Sequence, residues 1–170
     1  MVTGAAATCG YDVAAVRALL DAVRDPEIPV LTIADLGILR DVSIEQGRVR
    51  VVITPTYSGC PALHAIEHDI QRVLHAAGCA EVAVATQLAP AWTTDWLSAA
   101  ARAKLSAVGI APPLVTAHSK RALRRAAAAI ACPRCGSLQT EQISEFGSTA
   151  CKALYRCRHC LEPFDYFKCL

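Results

Sequence analysis

Aromatic residues are scarce in this chain of 170 residues, and long apolar runs are missing from it. Tryptophan, tyrosine and phenylalanine make up 5% of a sequence that is 54% hydrophobic, so any core must be largely aliphatic. Every apolar run falls short of the roughly 18 residues that a membrane-spanning helix needs. Residues 1–10 have neither the basic flank nor the apolar centre of a secretion signal. These absences predict a cytoplasmic protein without a membrane partner.

Cysteine, by contrast, is abundant and unevenly distributed. Six of the nine cysteines fall in residues 132–169. Cytoplasmic thiols stay reduced and an odd number suits a disulfide framework poorly, so the cysteines indicate metal binding or thiol chemistry. No motif assigns a role to four of them: Cys9, Cys79, Cys151 and Cys169.

Hydrophobic periodicity predicts an α+β fold in the order α-β-β-α-β-α, a small mixed three-stranded sheet with helices packed on it. Two prolines make Asp25–Gly37 a structured loop in this scheme. Pro61 suits the first position of the second helix, and Gly78 ends it. The predicted elements are Tyr11–Val23, Ile38–Glu45, Arg48–Ile53, Pro61–Ala77, Glu81–Leu88 and Thr94–Val108.

Composition divides the chain into three predicted segments. Residues 1–111 form the α/β domain, and residues 112–131 form a basic, alanine-rich linker helix. The last segment, residues 132–170, is too short to be stable on a hydrophobic core alone. We therefore expect a metal to stabilise it.

Two CxxC pairs supply the ligands for such a metal. Cys132 and Cys135 are followed after 21 residues by Cys157 and Cys160. Each pair directs two sulfurs at one ion, and two pairs give the tetrahedral S4 environment that zinc accepts. A redox CxxC of the thioredoxin type is the alternative, but such a motif opens a helix, whereas Gly136 and Ser137 follow here. The spacing therefore predicts a zinc ribbon.

A single cysteine, Cys60, lies between the second predicted strand and the following helix. The helix macrodipole and its unpaired N–H groups favour a thiolate at this position, and thiolate is the form that binds metals. The alternative is that Cys60 is a small buried apolar residue. Nearby, His64 and His68 complete an H-x-x-E-H pattern typical of some zinc proteases, but the helical repeat places them on a polar, solvent-facing side.

Several short segments resemble a known family. "DPEIPVLTIADLG" and "TPTYSGCP" resemble the iron–sulfur assembly domain of SufT-type and Mrp-type proteins. "CPRCGS" and "SEFGSTACKALYRCRHCLEPFDYFKC" resemble the PaaD family of the bacterial phenylacetyl-CoA epoxidase system of phenylacetate degradation, so the resemblance covers residues 11–170.

The resemblance implies an accessory protein, not an enzyme, that helps to mature the iron–sulfur or di-iron centre of the epoxidase. Its partners would be the reductase or oxygenase components, with a possible homodimer. Cys60 would transiently bind iron or an iron–sulfur cluster, and Asp35 would be its acidic neighbour. The residues supporting this site would be Glu27, Thr54, Thr56 and Gly59.

Two other functions are compatible with the sequence. A nucleic-acid-binding regulator would use the basic residues of the predicted linker, although a net charge of +2 is too mild to indicate nucleic acid by itself. We expect those residues to form a solvated helix instead: Lys120, Arg121, Arg124 and Arg125. A thiol-dependent enzyme would use Cys60 as nucleophile with a nearby base such as His64.

Overall fold

A computed structural model describes residues 9–113 and 130–168 of the chain. It divides into an N-terminal unit, Met1–Trp92, and a C-terminal unit, Thr93–Leu170. The predicted α/β domain extended to residue 111, so the structural boundary falls earlier in the sequence. Most of the predicted linker helix lies outside the described residues, as do its four basic side chains. Within the described part, no helix has the length and apolar character to cross a membrane.

The N-terminal unit has the predicted order of elements. It contains α1 (Val13–Leu20), β1 (Leu39–Glu45), β2 (Arg48–Ile53), α2 (Leu63–Ala76) and β3 (Val82–Thr86). The sheet order is β1-β2-β3, with β1 antiparallel and β3 parallel to the central strand. Because β2 and β3 are parallel, α2 must cross over between them. The mixed three-stranded sheet is confirmed.

The sequence explains where the helices of this unit begin and which faces they bury. Asp12 caps α1 by accepting a hydrogen bond from the Ala15 N–H at 2.7 Å. Helix α2 begins at Leu63, two residues later than predicted, because Pro61 and Ala62 form a turn before it. The core is aliphatic, as expected; its fully buried side chains include Val16, Leu20, Leu31, Ile33, Leu36, Ile53, Ile66, Ile70 and Leu74.

A disulfide joins Cys9 to Cys79, two residues that are 70 positions apart. Both are buried, and the Cys9 N–H donates to the Gly47 carbonyl in the β1–β2 turn at 3.2 Å. The bond therefore attaches the segment before α1 to the end of α2 and lies near the start of β2. The expectation of reduced thiols throughout was wrong for this pair.

The C-terminal unit begins with a short 3₁₀ helix, Thr94–Trp96, followed by α3 (Ala99–Ala107) and β4 (Ile110–Ala111). One continuous helix was predicted over Thr94–Val108, and that prediction was wrong. Leu97 has an extended backbone, and the Ser98 side chain caps α3 by accepting from the Ala101 N–H at 2.9 Å. The serine at this position starts a new helix because it satisfies an N–H group that would otherwise lack a partner.

Three further strands complete this unit: β5 (Thr140–Ser144), β6 (Lys152–Cys157) and β7 (Pro163–Phe167). Their sheet has the order β4-β7-β6-β5, in which β4 is parallel to β7 and the other pairs are antiparallel. Tyr155 packs on Phe164 with 5.8 Å between ring centroids and meets the edge of Tyr166 at 5.5 Å. This aromatic cluster supplements the small core. The strand pairing of β4 explains why residues 93–111 group with the C-terminal unit.

We predict that breaking the Cys9–Cys79 bond destabilises the N-terminal unit by roughly 2–4 kcal/mol, because the cross-link removes conformational freedom from the unfolded chain. Urea unfolding of the protein with and without a reducing agent measures this difference. The double variant Cys9→Ser, Cys79→Ser is the control, since reduction should leave its N-terminal unfolding transition unchanged. Equal stability of the oxidised and reduced wild type would contradict the prediction.

Candidate functional site

Two places in the described residues carry candidate chemistry, and each lies within one unit. In the C-terminal unit the sulfurs of the two CxxC pairs converge, and we call these four residues the ribbon cluster. All four sulfurs lie within 4.8 Å of one another. The members of the ribbon cluster are Cys132, Cys135, Cys157 and Cys160.

The distances in the ribbon cluster suit a tetrahedral ion. The sulfurs of Cys132 and Cys160 are 3.7 Å apart, and those of Cys135 and Cys157 are 3.5 Å apart. Tetrahedral zinc with Zn–S bonds of about 2.3 Å requires sulfurs about 3.8 Å apart. The donor set therefore fits a four-thiolate metal ion.

Tight turns direct the sulfurs inward. In the first CxxC pair the Gly136 N–H donates to the Cys132 carbonyl at 2.9 Å, and Gly136 has a φ of 72° that favours glycine. A turn, not a helix, thus follows this pair, which does not match the thioredoxin type of site. In the second pair Leu161 occupies the same left-handed region, with a φ of 66°.

Hydrogen bonds and desolvation give the thiols of the ribbon cluster different pKa values. The N–H of Cys160 lies 3.5 Å from the Cys157 sulfur and, with other donors, lowers the pKa of Cys157 to about 6. The Ser137 N–H acts to lower the pKa of Cys135, but desolvation and the neighbouring sulfurs outweigh it and raise that pKa to about 12. Four thiolates cannot easily coexist without a cation, whose positive charge would favour ionisation of all four.

The second place is the edge of the N-terminal sheet where β2 and β3 end, which we call the site edge. Because β1 is antiparallel to β2, the loop that precedes β1 reaches the same edge. The Thr54 N–H donates to the Ile38 carbonyl at 2.9 Å, and the Gln87 N–H donates to the Ile53 carbonyl at 2.8 Å. The site edge therefore gathers the Asp25–Gly37 loop, the Thr54–Cys60 loop and the segment after β3.

Cys60 is half-buried at the end of the Thr54–Cys60 loop. Its carbonyl accepts a hydrogen bond from the first helical N–H, that of Leu63, at 3.2 Å. Cys60 thus lies one turn before α2. It does not cap the helix, because the N-cap residue is Ala62. Gly59 is exposed, and a Cβ added there would make an ordinary contact of 3.7 Å with the Tyr57 ring. The fold itself does not require glycine at 59.

The carboxylates of the Asp25–Gly37 loop have different surroundings. Asp25 is buried and accepts hydrogen bonds from the N–H groups of Glu27 and Ile28, both at 2.8 Å, so it holds the loop together. Asp35 is half-buried and accepts from the Thr32 N–H at 3.1 Å, while its own N–H donates to the Thr32 hydroxyl at 3.0 Å. This reciprocal pair fixes the position of Asp35 at the site edge.

Among the residues predicted to support the site, Thr54 has a buried hydroxyl oxygen without a hydrogen-bond partner in the described residues. Thr54 is 1% exposed, and its Oγ1 makes no hydrogen bond to any residue that the structure describes. Thr56 is half-buried, and so is Glu27. Within residues 9–113 and 130–168, the ribbon cluster is the one group of three or more potential metal ligands, so Cys60, Asp35 and Glu27 do not form a compact ligand set.

The H-x-x-E-H pattern forms no metal site among the described residues either. The His64 side chain is 92% exposed, with Nδ1 at 3.6 Å from a Glu67 oxygen. The other Glu67 oxygen accepts from the Thr86 hydroxyl at 3.0 Å. His64 and His68 are exposed on α2, as the helical repeat indicated.

Sequence reasoning missed one residue of the site edge. Trp92 is buried, and its indole N–H donates to the carbonyl of Leu36 at 2.8 Å. No short motif contains this tryptophan, and the bond joins residues 56 positions apart. The one available signal was the rarity of tryptophan, which occurs twice in the chain.

Comparisons with known proteins match both units. A sequence model described as the PaaD zinc beta ribbon domain matches residues 116–168, and one described as an iron-sulfur cluster assembly protein matches residues 13–86. An Escherichia coli K12 protein named as one of the subunits of 1,2-phenylacetyl-CoA epoxidase is 53% identical over 154 residues, 90% of each chain.

Two further similarities concern the N-terminal part. A Porphyromonas gingivalis Fe-S protein maturation auxiliary factor is 35% identical over 89 residues, which cover 51% of this chain and 84% of that protein. The crystal structure of a domain of unknown function, DUF59, from Bacillus anthracis superimposes with a TM-score of 0.52 at 29% identity. It covers 55% of this chain and 90% of its own.

We predict that Cys135→Ser abolishes stable zinc binding and unfolds the ribbon, because three thiolates and a hydroxyl no longer complete the S4 set. Elemental analysis of purified protein and circular dichroism measure these effects. Cys151→Ser is the matched control: Cys151 is a buried cysteine of the same unit outside the ribbon cluster. Retention of one zinc per chain by Cys135→Ser would contradict the assignment.

Proposed function

The chain belongs to the PaaD family, and from that premise we propose that it is a cytoplasmic accessory protein of a multicomponent phenylacetyl-CoA epoxidase. In this role it helps to assemble an iron–sulfur or di-iron centre in another component. The family names support the proposal in both units, since one unit matches an assembly domain and the other a ribbon specific to this family.

One observation carries the proposal: a half-buried cysteine stands at the site edge, at the end of a loop that begins with a buried, unsatisfied hydroxyl. Thiolate sulfur is the usual ligand of iron–sulfur clusters. The loop places Cys60 after the end of a strand, where α/β folds commonly bind their ligands. The space around Gly59 is open. Apart from its chain neighbours, the Tyr57 ring is the one group of the described residues that lies within 4 Å of a Cβ built at Gly59, so a ligand can approach the backbone there.

The buried Thr54 hydroxyl is the polar group of the site edge that bears most directly on whether a ligand fits there. A buried hydroxyl without a hydrogen bond costs about 1–3 kcal/mol, which a bound group or an ordered water would recover. Thr54 follows β2 directly, and its backbone is fixed by the bond to Ile38. Its hydroxyl is a hydrogen-bond donor that would suit an acceptor such as a sulfide or a thiolate.

Iron or a cluster is cargo in this scheme. Cys60 would give its thiol proton to solvent and donate a sulfur lone pair to the metal, and Asp35 would supply an oxygen ligand or a compensating negative charge. A cluster needs about four ligands, and these two residues leave the set incomplete. The missing ligands would come from the client protein or from a second copy of this chain, which makes the binding transient and favours transfer.

The ribbon would have a structural and docking role. Zinc held by four thiolates has no open coordination position, so it supplies folding energy without Lewis-acid chemistry. The ribbon also leaves several large apolar side chains exposed, namely Leu138, Ile143, Phe146 and Leu161. Such side chains suit contact with another epoxidase component.

The alternative functions receive less support from the described residues. The basic residues on which the nucleic-acid alternative depends, at 120–125, lie outside the described residues. In the ribbon, Arg158 and Arg156 both donate to the Glu141 carboxylate, and these bonds lower the pKa of Glu141. A thiol enzyme needs a base oriented by its surroundings, but the His64 side chain is almost fully exposed. We therefore propose a non-catalytic role.

We predict that Cys60→Ser leaves the fold intact and abolishes maturation of the epoxidase, because a serine hydroxyl does not replace a thiolate as an iron ligand. Epoxidase activity in cells that carry the variant in place of the wild type measures the effect. His64→Ala is the control that separates metal handling from thiol catalysis, since it should retain activity. Full activity with Cys60→Ser would exclude the proposed role.

We predict that Thr54→Val raises the free energy of unfolding by about 1 kcal/mol while lowering epoxidase maturation. The valine removes an unsatisfied buried hydroxyl and keeps the β-branched shape. Urea unfolding and the cellular activity assay give the two values. Thr54→Ser, which retains the hydroxyl, should keep function, and a variant that loses stability without losing function would argue for a purely structural threonine.

A further inference from the structure

Trp92 lies outside the part of the chain that matches the assembly domain, residues 13–86, yet it contacts a residue of that domain. It is 5% exposed, and its indole N–H donates to the Leu36 carbonyl at 2.8 Å. Leu36 immediately follows Asp35 in the Asp25–Gly37 loop. The indole is therefore bonded to the carbonyl of the residue that follows the acidic residue of the proposed site.

Two backbone N–H groups of the turn that carries Asp35 find partners within the turn. The Leu36 N–H donates to the Thr32 carbonyl at 3.1 Å, and the Gly37 N–H donates to the Ala34 carbonyl at 3.0 Å. Gly37 then reverses the chain with a φ of 67°, a conformation that favours glycine. Trp92 supplies a donor for the Leu36 carbonyl from a distant part of the chain.

That carbonyl sits at the point where the turn ends and β1 is about to begin. Leu36 is 1% exposed, so its carbonyl needs a partner from within the protein. The peptide that contains it connects Leu36 to Gly37, and rotation of that peptide would change ψ of Leu36 and φ of Gly37, the residue at which the chain reverses. A hydrogen bond from a rigid, buried indole holds the peptide in one orientation.

We propose that Trp92 is a positioning residue of the metal-handling site. Through the Leu36 carbonyl it holds the turn so that Asp35 stays at the site edge together with the Cys60 loop. This inference rests on the proposed function, because it assumes that Cys60 and Asp35 act on the same metal ion. The residue makes no contact with that ion itself.

Cobalt(II) is the probe for this role, since a thiolate bound to it gives a charge-transfer absorption. The titration uses the full chain with its ribbon already loaded with zinc, which binds thiolates more tightly than cobalt. Subtraction of the Cys60→Ala titration isolates the absorption that depends on Cys60. We expect Trp92→Phe to weaken this cobalt affinity about tenfold, as loss of outer partners does at other metal sites.

Trp96→Phe is the matched control, because it makes the same substitution at the other tryptophan, in the 3₁₀ helix of the C-terminal unit. Its cobalt affinity should equal that of the wild type. A second comparison separates positioning from general stability. If Trp92 acts through Asp35, Trp92→Phe combined with Asp35→Asn should bind cobalt no more weakly than Asp35→Asn alone.

The outcomes are distinct. A Cys60-dependent absorption that Trp92→Phe leaves unchanged in affinity overturns the inference while the proposed function stands. The absence of any Cys60-dependent absorption in the wild type, together with full epoxidase maturation by Cys60→Ser, overturns the proposed function. Additive losses in the double variant also overturn the inference. If Trp92→Phe does not fold, Trp92→Tyr serves in its place under the same criteria.

Discussion

The hydrogen bonds that β2 makes along both of its edges determine the geometry of the N-terminal unit. Antiparallel pairing on one side brings the start of β1 level with the end of β2, and parallel pairing on the other side requires α2 as the connection. A slip of one residue would turn Thr54 out of the core and displace the start of the loop that leads to Cys60. The position of the cysteine is thus a consequence of strand register.

The two units are stabilised by different interactions. The N-terminal unit buries an aliphatic core, whose burial is a large stabilising term, and adds one cross-link. The C-terminal unit has a smaller core, and two of the ribbon sulfurs, those of Cys132 and Cys157, belong to it. In that unit the metal ligands and the core residues overlap, so ion binding and packing are coupled.

Local patterns in the sequence predicted the elements of the first unit well. Alternation identified β1 and β2, and the helical repeat identified the buried face of α2 through Ile66, Ile70 and Leu74. The pairing of the two CxxC motifs likewise predicted the ribbon cluster, because each motif encodes its own turn. These features depend on neighbours in the sequence, which is why they are visible there.

Features that depend on distant residues could not be predicted in this way. The Cys9–Cys79 bond and the bond from Trp92 to Leu36 join positions that no local pattern relates. The break at Leu97 and Ser98 was missed, because one helix was predicted across the whole of Thr94–Val108. The site edge itself needed the topology, since three separate segments meet there.

The parallel pairing of β4 with β7 has a consequence for anyone who wishes to study the ribbon alone. The outermost strand of the sheet, β4, comes from residues 110–111, which precede the segment at 114–129 in the sequence. Arg102 stabilises the chain around this strand by donating hydrogen bonds to the Thr94 and Pro113 carbonyls. A fragment that begins at residue 132, the boundary suggested by composition, would leave β7 as an unpaired edge strand that can pair with other molecules. Cleavage after Trp92 would keep the sheet whole.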